Sequence, residues 1–241
     1  MAFNIYIGFD QREPEAYEAC KFSLLKHSNK IDVQPLKHKE LRKQGLFTRP
    51  WVIEANGSFK DVRDDKPFST EFAFTRFLVP FLQDTGWALF CDCDMLFTAD
   101  ATEILKHTDS SKAVMVVKHD YKPEAGIKMD DCKQEPYSRK NWSSVILWNC
   151  SHESNKRLAL EDINYKPGNW LHNFKWLKDE EIGELPETWN WLEGHSKLPE
   201  DGLLPKNIHY TRGGPWFKNW KEVQYGKEWL AEFGEMNLPK V

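Results

Sequence analysis

The stretch Trp87 to Phe97, WALFCDCDMLF, decides how this chain is read. An apolar run ends in two aspartates one residue apart, and a second apolar run follows at once. This is the pattern of a buried strand delivering carboxylates to its end. Asp92 and Asp94 stand at positions i and i+2, so an extended backbone points both to the same side. Ala88, Leu89 and Phe90 before the acids and Met95, Leu96 and Phe97 after them mark the segment as interior. A charge inside such a segment needs a partner or a metal. Two hard oxygen ligands suit Mg²⁺ or Mn²⁺, which keep coordination sites for water and substrate phosphates. An Asp-x-Asp that only marks a solvated strand end is the competing reading.

Working outward, the order of elements is that of an α/β protein. Phe3 to Phe9 reads as a strand ending at Asp10, and Pro14 opens a helix to about His27, proline being well placed in a first turn. Ile31 to Leu36 reads as a second strand, and Gly45 to Lys66 as a polar, mobile loop. Ser69 is placed to cap a helix whose apolar face includes Phe72, Leu78 and Phe81, ending near Gln83. After the acidic strand come a short helix at Thr102 to His107, strands at Ala113 to Val117 and Ser143 to Trp148, and a helical stretch from Glu153 to Ile163. Such alternation predicts a mainly parallel sheet flanked by helices, with ligands beyond the carboxyl ends of its strands. Asp10, Asp92 and Asp94 all fall at such ends. From Pro167 to Trp220 the chain is richer in Trp, Pro, Gly and acids, and is expected to form an irregular cap on the substrate side.

Composition narrows the function classes. The 241 residues suit a single domain, 1–241, and the net charge of -4, from 33 basic and 37 acidic residues, speaks against a partner bound through phosphate neutralisation, so no nucleic acid is expected. Five cysteines, Cys20, Cys91, Cys93, Cys132 and Cys150, form neither a disulfide framework nor a CxxC zinc pattern. Cys91 and Cys93 alternate with the aspartates and are expected to face the core. MAFNIYIGFD enters a strand without the basic and apolar regions of a signal peptide, and no run reaches the length of a membrane span; the expected location is cytoplasmic. Aromatic residues make up 14%, with 11 Trp; most are expected in the core, although Trp142, Trp148, Trp170, Trp176, Trp189 and Trp191 also offer faces to a glycan.

Several motifs in order resemble the nucleotide-sugar glycosyltransferases of the GT-A fold (Rossmann-like), most closely family 8, the retaining group that includes glycogenin and bacterial lipopolysaccharide galactosyltransferases. IYIGFD (5–10) resembles the first nucleotide-binding strand and STEFAFTRFLVPFL (69–82) the helix that carries an arginine. FCDCDMLF (90–97) resembles the metal strand, SSVILWN (143–149) the next sugar-side strand, and IHYTRGGPWF (208–217) the late His...Gly...Pro-Trp segment. The resemblance spans residues 3 to 220. It implies a nucleotide-binding part at 1–120 and a sugar- and acceptor-binding part at 121–241.

Carried over residue by residue, the resemblance implies that Asp92, Asp94 and His209 hold Mn²⁺ or Mg²⁺, with Asp92 also near the ribose. Phe9, Asp10 and Arg12 would surround the base and ribose, Asp10 serving equally well as a helix cap. Arg76 would reach the donor sugar or diphosphate, or be an exposed helix arginine; Ser144 would lie beside the sugar, or be a plain strand residue. Arg212, Gly213 and Lys218 would line the diphosphate. Two departures stand out. Gly214 occupies the place of the family's lysine before Pro-Trp, and Arg212 or Lys218 would supply the charge from nearby. Glu180, in Asp179-Glu180-Glu181, replaces a glutamine on the β-face of the donor sugar. Asp179 and Glu180, with Arg76, are then the catalytic candidates, and Glu193 is a further carboxylate.

The implied reaction moves a sugar from a nucleotide-diphosphate donor, UDP-sugar favoured, to a glycan or small hydroxyl acceptor with retention. Asn141, Trp142 and Ser143 would border the acceptor cleft. A nucleotidyltransferase shares the paired acids but should carry a glycine-rich basic loop early in the chain, which IGFDQREPEA lacks. A non-catalytic sugar-binding module would not need both the acid pair and His209.

Overall fold

The computed structural model describes residues 2–55, 57–120 and 139–238; Cys132 lies outside them. In chain order the elements are β1 (Phe3–Gly8), α1 (Pro14–His27), β2 (Ile31–Leu36), α2 (His38–Lys43), β3 (Trp51–Ile53), β4 (Phe59–Asp61), β5 (Pro67–Phe68), α3 (Val79–Leu82), β6 (Trp87–Cys91), β7 (Met95–Phe97) and β8 (Val114–Val116). Then follow β9 (Val145–Asn149), α4 (Leu160–Tyr165), α5 (Gly168–His172), β10 (Ile182–Glu184), β11 (Trp191–Leu192), β12 (Asn207–His209) and α6 (Gly226–Met236).

The central sheet has the order β10-β8-β9-β6-β1-β2. The pairs β1–β2, β1–β6 and β8–β10 are parallel, while β9 runs antiparallel to both β6 and β8. Five strands therefore share one direction, as the alternation of elements predicts. Ala88, Leu89, Phe90 and Cys91 of β6 are fully buried, as are Ile5 and Ile7 of β1; both faces of the sheet are covered, which is why these strands are continuous apolar runs. At Gly8 an added Cβ would land on the Phe72 ring, so glycine lets the segment after β5 cross the exit of β1.

Residues 87–97 form two strands instead of one. β6 ends at Cys91, the chain bends through Asp92, Cys93 and Asp94, and β7 joins a second, three-stranded sheet of order β11-β12-β7. Backbone bonds hold the bend on both flanks: Asp92 N–H donates to the Ser144 carbonyl at 3.0 Å, and Tyr210 N–H donates to the Asp94 carbonyl at 2.9 Å. Cys91 and Cys93 are buried as expected, as are Cys20 and Cys150. The small sheet has its own apolar core of Leu96, Trp191, Ile208, Tyr210 and Trp229. Trp229 and Phe233, one turn apart on α6, stack at 4.9 Å; this i, i+4 aromatic spacing is the signal in the sequence for a helix that the reading above does not include.

Two other expectations are corrected. Residues 45–66, expected as a mobile loop, contain β3 and β4 of a three-stranded antiparallel sheet with β5. The side chain of Arg49 is wholly buried, pairs with Asp61, donates to the Lys166 carbonyl at 2.7 Å, and lies 4.0 Å from the centre of the Phe74 ring. The single helix expected from Ser69 to Gln83 is a turn, a 3-10 stretch Thr75–Leu78 and the short α3. Ser69 does not cap it. Asp10, from another part of the chain, accepts the Glu71 N–H at 3.1 Å instead. Among the described residues, no helix is long and apolar enough to cross a membrane.

Candidate active site

The bend between the two sheets is where the acidic residues gather. In the register of β12 against β7, His209 lies opposite Met95, the residue after Asp94. One ligand atom from each of Asp92, Asp94 and His209 can be chosen so that all lie within 4.8 Å of one another. His209 Nε2 is 3.4 Å from Asp94 Oδ1. Two carboxylates on the bend and an imidazole on the facing strand β12 form a donor set that Mn²⁺ accepts readily and Mg²⁺ through its oxygens. The three residues named from the resemblance are thus brought together, and they fit a divalent cation.

Arg76 is not an exposed helix arginine. It is buried, with Nη1 2.9 Å from Asp92 Oδ1 and 2.7 Å from the Ser143 carbonyl. Its guanidinium lies 5.1 Å from the centre of the Phe90 ring and 5.4 Å from that of Phe72. Two carboxylates and one guanidinium leave a formal charge of -1 at the bend, low enough for a dication bound there to keep positive charge for phosphates. Ser143 Oγ meets His172 Nδ1 at 2.8 Å. Burial, and then the charge of Arg76, push the His172 pKa well below its ordinary value, so this imidazole is neutral.

At the exit of β1, Asp10 is fully buried and accepts from Arg12 through its backbone N–H at 2.9 Å, Nε at 3.0 Å and Nη2 at 2.8 Å. Asp10 is therefore the anchor of this loop and not the helix cap, since α1 is capped at Glu13 without a side-chain bond. Arg12 spreads over Phe59 at 4.2 Å, and Phe9 packs edge-on against Tyr17 at 5.2 Å. These residues form the loop at the exit of β1.

The late loop differs in its use of charge. Arg212 makes a two-pronged bond to the buried Glu193, with Nη2 2.8 Å and Nε 3.3 Å from Oε2. Glu193 N–H in turn donates to the His209 carbonyl at 2.9 Å. Gly213 has φ of 125°, a left-handed value that favours glycine. At Gly214 a Cβ would overlap the Trp216 ring, so a side chain there would have to displace that ring. Lys218 is exposed.

Asp179 and Glu180 do not join the cluster. Glu181 of the same turn accepts the Ala113 N–H with its carbonyl, and Ala113 is level with Asn149, which pairs with Trp87 at the start of β6. Asp92 lies five residues further along, about 16 Å at roughly 3.3 Å per residue. Asp179 is exposed and pairs with Arg139; Glu180 is exposed, with Lys178 at 4.0 Å. A short acidic motif carries little register information.

Ser144, by contrast, lies at the bend, with Oγ donating to the Asn141 carbonyl at 2.7 Å. Trp142 is half-buried with Nε1 bonded to the His119 carbonyl at 3.1 Å, while Trp148, Trp176, Trp189 and Trp191 are core. Asn190 and His119 lie beside His209 and have no assigned role in the sequence reading. Burial, followed by the nearby His209, lowers His119 to about 4. The signal for Asn190 is an amide between two tryptophans, since a polar group in such a run must find partners.

No protein-family model matches the chain. Protein CDI of Arabidopsis thaliana is 45% identical over 239 residues, covering 98% of this chain and 87% of that protein. The chain belongs to the family of Protein CDI. Solved structures similar to this chain show its fold. Glycosyltransferase GlyE of Streptococcus pneumoniae TIGR4 superposes with a TM-score of 0.62 at 15% identity, covering 98% of this chain and 62% of that one. The bifunctional glycosyltransferase WbbM gives 0.64 at 14% identity, covering 99% and 50%. The galactosyltransferase LgtC, solved with donor and acceptor sugar analogs, gives 0.58 at 12% identity, covering 99% and 98%. The chain thus spans about half to two thirds of the GlyE and WbbM chains and nearly all of LgtC. At these identities the likeness is one of fold, and the fold is that of the GT-A glycosyltransferases.

Proposed function

We propose that this chain is a metal-dependent glycosyltransferase that moves a sugar from a nucleotide-diphosphate donor to a hydroxyl acceptor. The observation that carries the reading is the cluster of Asp92, Asp94 and His209 at the carboxyl end of a buried central strand, on the fold shared with GlyE, WbbM and LgtC. The family resemblance favours a UDP-sugar donor, a glycan or small hydroxyl acceptor, and retention. It also divides the chain into a nucleotide part, 1–120, and a sugar and acceptor part, 121–241.

Breaking a sugar-diphosphate bond builds negative charge on the leaving phosphate and oxocarbenium character on the sugar. A bound Mn²⁺ or Mg²⁺ supplies Lewis-acid stabilisation of that phosphate charge. The protein's own part is to keep the site rigid and its charge defined before substrate arrives. Arg76 fixes the Asp92 carboxylate from behind and offsets one negative charge. Asp10 holds Arg12 and the β1 exit, where Phe9 and Arg12 meet the base and ribose. Glu193 holds Arg212, which with Gly213 and Lys218 lies on the diphosphate side, and Ser144 borders the sugar. Asp179 and Glu180 stand on the turn before β10, and Glu193 is engaged by Arg212. None of these three described carboxylates favours a covalent intermediate, and the reading is retention by attack from the face the diphosphate leaves, with the departing phosphate oxygen as base.

Calorimetric titration with UDP, GDP and CDP, each with Mn²⁺ and with EDTA, tests this reading. Manganese-dependent binding of one nucleotide is expected, followed by hydrolysis or transfer of its sugar. Absence of binding to all three overturns it.

A further inference from the structure

Asn190 has no role so far, yet it is fully buried between Trp189 and Trp191, which are themselves buried. A buried amide must place two donor hydrogens and one acceptor oxygen. Its Nδ2 lies 3.1 Å from the Asn141 carbonyl and 2.9 Å from Ser144 Oγ. A carbonyl only accepts, so the NH₂ group is on that side. Ser144 gives its own hydroxyl proton to the same Asn141 carbonyl at 2.7 Å, so its oxygen is left to accept from Asn190. The amide orientation is thus fixed by its neighbours, and Oδ1 faces His209 Nδ1 at 2.9 Å.

The geometry points to Asn190 as the positioning residue that sets the tautomer of His209. Oδ1 can only accept, so Nδ1 carries the proton. With the proton on Nε2 alone, two lone pairs would face each other in a buried site. Nε2 is then the ring atom left for a cation shared with Asp92 and Asp94, and it lies 3.4 Å from Asp94 Oδ1. The same amide has a second effect. Ser144, held by Asn190, accepts the Asp92 N–H with its carbonyl at 3.0 Å. One side chain thereby registers the imidazole from the small sheet against the carboxylate that ends β6. The cation part of this inference rests on the metal reading of the cluster; the tautomer part does not.

Two measurements on the full chain test it. In metal-free protein labelled with ¹⁵N-histidine, His209 should show a protonated Nδ1, with His209→Gln identifying its signals. A bare Nδ1 overturns the assignment whatever the protein does with metal. Mn²⁺ titration then compares Asn190→Asp, which keeps an acceptor for Nδ1–H, with Asn190→Leu, which does not. Loss of a partner behind a metal-bound histidine weakens metal about 10- to 100-fold, so the leucine variant should lose that much while the aspartate variant stays within about threefold of wild type. Equal losses in both variants overturn the positioning role. If the leucine variant does not fold, the aspartate variant alone decides: a loss of tenfold or more overturns the role, and retained affinity supports it. A wild-type protein with the Nδ1–H tautomer but no Mn²⁺ binding overturns the metal reading and leaves the tautomer assignment standing.

Discussion

Two acidic pairs in this chain look alike in one dimension and differ in three. Asp92 and Asp94 interrupt an apolar run, sit on a bend bonded on both flanks, and meet His209 and Arg76. Asp179 and Glu180 lie on the turn before β10, at the opposite end of the sheet, where their side chains are exposed and paired with Arg139 or near Lys178. A carboxylate inside a core is held only by what its surroundings supply, whereas one on a surface turn is solvated wherever it lands. The setting of an acid is more diagnostic than its presence.

The sharpest way to break this comparison is Asp94→Asn, which removes charge with little change in shape. Metal-dependent nucleotide binding should fall at least about 100-fold by calorimetry, with stability within about 1 kcal/mol of wild type in urea unfolding. Surviving metal dependence would end the distinction between the pairs. Asp92→Asn should lose binding similarly and also lower unfolding stability by about 3 kcal/mol, since the buried Arg76 is left without its countercharge.

Acidification acts on the same region. His119, lowered to about 4, and His172, also lowered, stay neutral in the folded protein and take up protons more readily when unfolded. Their contribution is complete above about pH 6.5 and is lost as pH falls towards the folded values, by up to about 1.4 kcal/mol per pH unit for each histidine. Unfolding midpoints measured between pH 7.5 and 5 should decline, and His172→Gln should make the decline shallower. At the small end, Asp179→Asn and Glu180→Gln should change nucleotide affinity less than about twofold and stability by no more than about 0.5 kcal/mol. A tenfold loss of transfer in Glu180→Gln would restore the acid at the β-face of the sugar.

What the sequence discloses follows the range of the interactions. β1, α1, β2 and the acid-bearing strand are legible because their patterns are local: alternation or apolar runs, and a proline in a first turn. The sheet within residues 45–68 is not, because its strands are two or three residues long and are held by Arg49 reaching Asp61 and by the packing of Trp51 with Phe59 and Phe68. The site divides in the same way. Asp92, Asp94 and His209 are found by motif. The pairing of Arg76 with Asp92 and the Asn190 network join residues far apart in the chain, and no short spacing encodes them. Gly214 is legible only as an oddity until the Trp216 ring is seen in the space that a side chain would need.

The bend between β6 and β7 makes the three candidate ligands belong to different bodies. Asp92 hangs from the large sheet through Ser144, while Asp94 and His209 are tied to the small sheet through Tyr210 and the β7–β12 register. A cation seated among them would act as a rivet across a seam. Shear along that seam would pull the ligands apart, so loading the site should stiffen the C-terminal third, and amide exchange in β11 and β12 should slow when Mn²⁺ and nucleotide are added together.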